Sequence, residues 1–322
     1  MKNIKIIHIL LLLVFITSCN DDEAPIYVPD ELEESTDLID VYFKDNFLEP
    51  YGTAVRWRWD DKLVDNSKRV TPIKREFCIP MGNFIKNFWI APFEKTEDGK
   101  SFIYELFPPE VMLIGSPMYN SDGESITLGY ADAGVRITFT QVNEYDLGNP
   151  DWVLMQLRTA EHEFGHIVHQ NYNLPNGLKE VTPANYKSNN WLNLAGDVQQ
   201  SNPRISREAI SLGMVSNYGT SDVNEDFCEL LSIYITSEVA EFEERYLTHE
   251  PEEIIKLDDG TEIEPNADAV EVNKGRDFIA IKLKLVKDYY WEKFKIDLDV
   301  LRDEIVFRLK NPNNPNGDKS DK

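Results

Sequence analysis

The chain has 322 residues, of which 57 are Asp or Glu and 33 Lys or Arg, for a formal net charge of −24. An acidic excess of this size, with no cluster of positive charge to neutralise phosphates, excludes a nucleic-acid partner and leaves neutral or basic substrates and other proteins. With 42% hydrophobic residues and only three cysteines, stability must come from a buried core rather than a disulfide framework.

Met1 to Ser18 reads as a secretion signal, with Lys2 and Lys5 ahead of an apolar stretch from Ile6 to Ile16 that is shorter than the ~20 residues of a membrane span. Ile16-Thr17-Ser18-Cys19 resembles a bacterial lipobox, which implies cleavage before Cys19 and a lipid anchor on that residue. The acidic run Asn20-Asp21-Asp22-Glu23 resembles the signal that sends some Gram-negative lipoproteins to the outside of the outer membrane. Residues 19–36 are acidic and without apolar periodicity, as expected of a tether.

Order is predicted from Asp37, in one domain over 37–310, with a sheet-containing lobe over about 37–148 and a mainly helical lobe over about 149–310. The fold class is therefore α+β. Leu38, Val41, Tyr42, Phe47 and Leu48 predict a short helix, and Thr53 to Trp59 alternates as a strand. A helix follows near Asn83 to Ala91. Val111 to Gly115, Ser125 to Gly129 and Val135 to Thr140 read as strands between turn residues, a small mixed sheet. The last of these, just before the next helix, has two places open to it, an edge that an extended peptide can pair with or the interior of the sheet.

From Asp151 to about Asn171 the period becomes helical. Asn171 to Asn202 is loop-rich, Ser206 to Leu212 a short helix, and Asp222 to Glu241 a strong helix with Asp222 as its N-cap. His249 to Asp268 is an exposed acidic loop or hairpin turning at Asp259-Gly260. Phe278 to Phe294 and Leu298 to Leu309 are helical, and residues 311–322 form a disordered polar tail.

The informative motif lies in the first strong helix: His162-Glu163-Phe164-Gly165-His166, a complete H-E-x-x-H. Residues four apart on a helix differ by only ~40° around the axis, so two imidazoles can reach one ion while Glu163 stands beside the water it activates. With five histidines in 322 residues, chance yields such a motif in roughly one sequence in a hundred. A catalytic zinc site needs a third protein ligand. The pattern H-E-x-x-H-x-x-G-x-x-H would require Gly at 169 and His at 172, where the chain has His169 and Tyr172. The downstream helix instead carries Glu225 and Glu229 on one face, so one can bind the metal while the other holds a histidine through its second ring nitrogen. His169 lies near the face of His166 and is read as supporting rather than ligating. Cys228 is a poorer ligand, since a thiolate suits a closed structural site.

Tyr218-Gly219-Thr220 and Glu225-Asp226-Phe227-Cys228-Glu229, after the H-E-x-x-H, resemble the catalytic domain of the lethal-factor toxin protease, a gluzincin, over roughly Asp151 to Ile235. That resemblance implies a zincin-like fold with the motif helix between its lobes, one Zn2+ per chain, Glu225 as third ligand and Tyr218 directed at the substrate oxyanion. With the lipobox, the whole layout is similar to the lipoprotein zinc metallohydrolases associated with TonB-linked nutrient import. It implies a lipid-anchored metallopeptidase with Glu163 as general base, acting on a peptide or protein substrate and associated with an import complex. The competing reading is an accessory or binding lipoprotein of that complex, with weak turnover or a non-peptide target. A purely structural metal would need four ligands, and three good ones are visible.

Overall fold

The computed structural model describes residues 35–64, 67–119, 135–194 and 206–317, with backbone alone at 126–127 and 131–132. The signal segment, Cys19 and the acidic stretch to Glu34 lie outside the described residues. From Asp37 onward the chain forms one compact unit.

Helix α1 (Leu38–Phe43) is capped by Asp37, whose carboxylate accepts from the Ile39 amide at 3.0 Å. Six strands follow: β1 (Ala54–Arg56), β2 (Glu110–Leu113), β3 (Met118–Tyr119), β4 (Ile126–Thr127), β5 (Ala131–Asp132) and β6 (Arg136–Phe139). β1, β2 and β6 are parallel neighbours, β5 is antiparallel on the far side of β6, and β3 pairs with β4 separately. Parallel neighbours need crossovers. Between β1 and β2 the crossover is helix α2 (Arg75–Phe84), continued by a wider π turn to Ile90, and helix α3 (Gly99–Leu106). α2 begins well before the expected Asn83 because Pro80, which reads as a boundary, is accommodated inside it beside buried Cys78, Met81 and Phe84.

The sheet register places Glu110 opposite both Ala54 and Arg136. Its carboxylate accepts from Arg56 Nε at 2.8 Å and pairs with Arg136. Burial works against the charge, but the two guanidiniums hold the Glu110 carboxyl below its usual range.

Of the two places open to Val135 to Thr140, edge or interior, the structure gives the interior one. β6 is flanked by β2 along its length and by β5 at Arg136 and Ile137. Ile137, Thr138, Phe139 and Thr140 are all at most 1% exposed, the signature of a strand covered on both faces, so the edge falls to β5.

Helix α4 (Pro150–Tyr172) starts with Pro at its first position behind Asn149, which accepts from the Asp151 and Trp152 amides. Its first turns are tied to the end of β6: Gln156 Nε2 donates to Thr140 O at 2.8 Å, and Trp152 Nε1 to Gln141 O at 3.1 Å. Helix α5 (Val223–Thr236) is capped by Asp222 as expected, and a break at Ser237 separates it from α6 (Val239–Tyr246). β7 (Ile255–Lys256) and β8 (Glu262–Ile263) make the anticipated hairpin, with Gly260 at φ 86°.

Helix α7 (Ala269–Phe294) begins earlier than its apolar period indicates because its first turns bury polar residues. Asn273 holds the Glu250 backbone at 2.8 and 2.9 Å, and Arg276 pairs with the Glu250 carboxylate at 2.9 Å. Helix α8 (Leu298–Lys310) follows. The tail is set in turns up to 317, with Asn316 donating to Asn87 at 3.0 Å; the expected disorder does not extend to this part, which has an internal partner. Among the described residues no helix is long and apolar enough to cross a membrane.

Candidate metal centre

The centre is built where α4 and α5 run antiparallel. Arg158 donates to Thr236 at 2.9 Å and Ser237 at 3.3 Å, which fixes one end of the crossing. Phe164 clamps α4 from behind, edge-on to Trp89, Phe93 and Phe102 with centroids 5.6–5.7 Å apart. Gly165 sets the helix separation. A Cβ there would stand 3.0 Å from Cys228 Sγ and 3.4 Å from Cys228 Cα, so a small residue on each helix lets the backbones approach. Cys228 and Cys78 are both free and buried.

That approach delivers Glu225 to the two histidines. Its Oε2 lies 3.1 Å from His162 Nε2 and 3.3 Å from His166 Nε2, all three side chains being 11–15% exposed. Ligand atoms on a tetrahedral zinc with bonds of ~2.0–2.1 Å stand about 3.3 Å apart. Glu225 Oε2 is moreover buried without a hydrogen-bond partner. Two imidazole nitrogens and a carboxylate oxygen are a donor set suited to zinc, and their spacing fits it.

The electrostatics point the same way. Burial would lower the His162 pKa, but the Glu225 and Glu229 carboxylates outweigh it and push the ring up to about 10. Burial would likewise raise Glu225, and the two imidazoles hold it well below the carboxylate range. Both shifts favour one positive charge between these groups, supplied by a proton or a metal.

Glu163 is buried in the same turn, and its charge acts on both His162 and Tyr218. Tyr218 sits in a short turn (Tyr218–Thr220) before α5, its ring stacked on His162 at 5.8 Å. Its hydroxyl stays protonated far above the usual range through burial and the nearby Glu225 carboxylate. Glu229 approaches the other side of His162, Oε1 to Nδ1 2.8 Å. His166 Nδ1 and His169 Nε2 form a hydrogen bond of 2.9 Å. The structure thus brings His162, Glu163, His166, His169, Tyr218, Glu225 and Glu229 into one neighbourhood.

A second group, His166, His169 and Cys228, also has its donor atoms within 4.8 Å of one another. It suits a catalytic zinc less well, because burial and the surrounding carboxylates push the Cys228 thiol far above its usual range and keep it neutral.

Three features escaped the sequence reading. Trp191 packs on the Tyr218 ring at 5.0 Å. Asp226, next to Glu225, is fully buried against Lys282 at 2.6 Å and accepts from the Tyr186 hydroxyl at 2.9 Å. Glu161 is fully buried with neither carboxylate oxygen hydrogen-bonded. A signal existed for Lys282, which shares the helical spacing of buried Ile279 and Val286; Trp191 and Glu161 had none.

No curated protein matches the chain. A crystal structure from Bacteroides caccae ATCC 43185, described as that of a "putative zinc-binding metallo-peptidase", is similar in fold: TM-score 0.65 at 24% identity, covering 91% of this chain and 98% of that one. The family model described as "Putative zinc-binding metallo-peptidase" matches residues 32–299. The chain belongs to that zinc-binding metallo-peptidase family.

Proposed function

We propose that the protein is a zinc-dependent peptidase of zincin type, with His162 and His166 of the motif helix α4 and Glu225 of α5 as metal ligands. The convergence of two Nε2 atoms and one Oε2 atom at 3.1 and 3.3 Å carries this reading. Zinc held by these three residues would supply Lewis-acid activation of water and of the scissile carbonyl. Glu163 takes a proton from the attacking water and hands it to the leaving amine. The Tyr218 hydroxyl, protonated throughout, donates to the developing oxyanion, a contact worth about 3 kcal/mol in other enzymes. Glu229 and His169 hold the outer sides of the two imidazoles.

The lipobox-like Ile16-Thr17-Ser18-Cys19 and the acidic run after it support a lipid anchor on Cys19 and display on the outer face of a Gram-negative outer membrane. In this reading the substrate is a peptide or protein, and the enzyme works beside a TonB-linked import complex. Metal analysis of purified protein, coupled to cleavage of a peptide library, tests it. The wild type is expected to hold one zinc and cleave, and Glu163→Gln to keep zinc while losing turnover by about 10²–10⁴-fold. Zinc without cleavage in the wild type would favour the accessory role, and zinc loss in Glu163→Gln would remove the residue from its assigned step.

A further inference from the structure

The two histidines of the centre are not supported alike. His162 turns its Nδ1 toward a carboxylate, Glu229, at 2.8 Å. His166 turns its Nδ1 toward another imidazole, His169, at 2.9 Å and in hydrogen-bonding geometry. A histidine that offers the Nε2 lone pair to a metal must carry its ring proton on Nδ1, so the atom opposite has to be an acceptor. A neutral imidazole is an acceptor at only one of its two nitrogens.

We propose that His169 is a positioning residue: with its own proton on Nδ1, it accepts from His166 Nδ1–H through Nε2 and so selects the His166 tautomer whose Nε2 lone pair faces Glu225. The proposal rests on the zinc-peptidase reading above and deepens it. The chain thereby backs one ligand with an anion and the other with a neutral ring, making the two imidazoles unequal donors.

The surroundings of His169 hold it in this role. It lies one helical turn after His166 on α4, and its ring meets Phe227 of α5 edge-on at 6.2 Å. Phe227 is fully buried and is itself set against Tyr289 and Tyr290 of α7, with centroids 6.3 and 6.5 Å away. The orientation of the accepting ring is therefore determined by three packed helices.

The rival assignment makes His169 a ligand in its own right, together with His166 and Cys228. Zinc affinity, measured on the full protein by competition with a chromophoric chelator, and the visible spectrum of the cobalt-substituted protein separate the two. His169→Leu, which removes the acceptor, is expected to weaken zinc binding 10- to 100-fold. His169→Gln, which alters the packing as much but can still accept, is expected to stay within about threefold of wild type. Thermal melts of both metal-stripped variants provide the control: zinc affinity that falls equally in Leu and Gln, in step with the melts, means that His169 is only packing and overturns the proposal. Wild-type affinity in His169→Leu overturns it as well. So does a thiolate-to-cobalt charge-transfer band in the wild type that Cys228→Ser abolishes. A wild type that binds no zinc sinks the zinc-peptidase reading together with this one, whereas zinc held equally by wild type and His169→Leu sinks this one alone.

Discussion

Two neighbouring carboxylates on α5 are both taken from water, and the fold treats them in opposite ways. Asp226 meets an internal cation: Lys282 Nζ lies 2.6 Å away, with 0% and 2% of the two side chains exposed, and also donates to Gly213 O at 3.0 Å. Burial drives both groups toward neutrality and their attraction offsets part of that cost. Glu225 meets imidazoles, which can exchange a proton for a metal ion. Glu161 shows a third outcome: buried with no hydrogen-bond partner among the described residues, its carboxyl is pushed far above the usual range by desolvation. A permanent internal partner makes a structural element, and a titratable one leaves room for a ligand.

The strongest attempt to break the comparison removes each partner in turn. Lys282→Met leaves Asp226 buried and unpaired, and is expected to cost about 3–5 kcal/mol in urea unfolding, most of it recovered when Asp226→Leu is added. Glu225→Gln is expected to destabilise metal-stripped protein less than Lys282→Met does, because Glu229 still faces His162 and the ring can give up its proton, while lowering zinc affinity at least ~100-fold. Equal destabilisation by the two single changes would erase the distinction.

The helix crossing that presents Glu225 is the next target. Gly165→Ala forces a Cβ against Cys228, and a loss of about 1–3 kcal/mol is expected. Cys228→Ala in the same chain should restore most of it, because the obstruction is the thiol; failure of that rescue would locate the strain in the backbone.

Proton exchange at the centre sharpens the contrast further. With its pKa raised to about 10, His162 is protonated at neutral pH when no metal is bound, so zinc must displace that proton. About one proton should be released per zinc at pH 7, read by calorimetry in buffers of different ionisation enthalpy, and affinity should climb as pH rises toward 10. No buffer dependence would contradict the electrostatics of the site.

The smallest effect concerns a carboxylate closer to water. Glu250 accepts from Arg207 at 2.6 Å and pairs with Arg276 at 2.9 Å; the Arg207 hydrogen bonds outweigh burial and bring its pKa down to about 2. Its folded value lies below the ordinary 4.5, so its stabilisation is complete above that pH and lost as pH falls toward 2. Glu250→Gln should flatten the acid limb of the stability curve in that window by about 1–2 kcal/mol, and an unchanged limb would assign acid sensitivity elsewhere.

Much of this was legible in the chain. The change of period at Asp151 announces α4, and Asp222 announces the start of α5 because capping is settled within three residues. One element was misjudged because polar residues serve an interior purpose there. Asn273 and Arg276, buried in its first turns, concealed the start of α7. The partner that makes these polar groups tolerable is Glu250, 23 residues before Asn273.

By itself the sequence determined that His162 and His166 share a helical face, that Glu163 stands beside them, and that Glu225 and Glu229 repeat the spacing on a second helix. These follow from the pitch of a helix and need no distant contact. Only the tertiary structure decided that Glu225 rather than Glu229 faces both Nε2 atoms, that His166 Nδ1 meets His169 Nε2 and not a carboxylate, and that Asp226 finds a lysine 56 residues away. Which charge meets which partner depends on how closely two helices approach, and that distance is set by the packing of Gly165 against Cys228 and of Phe164 against the aromatic core.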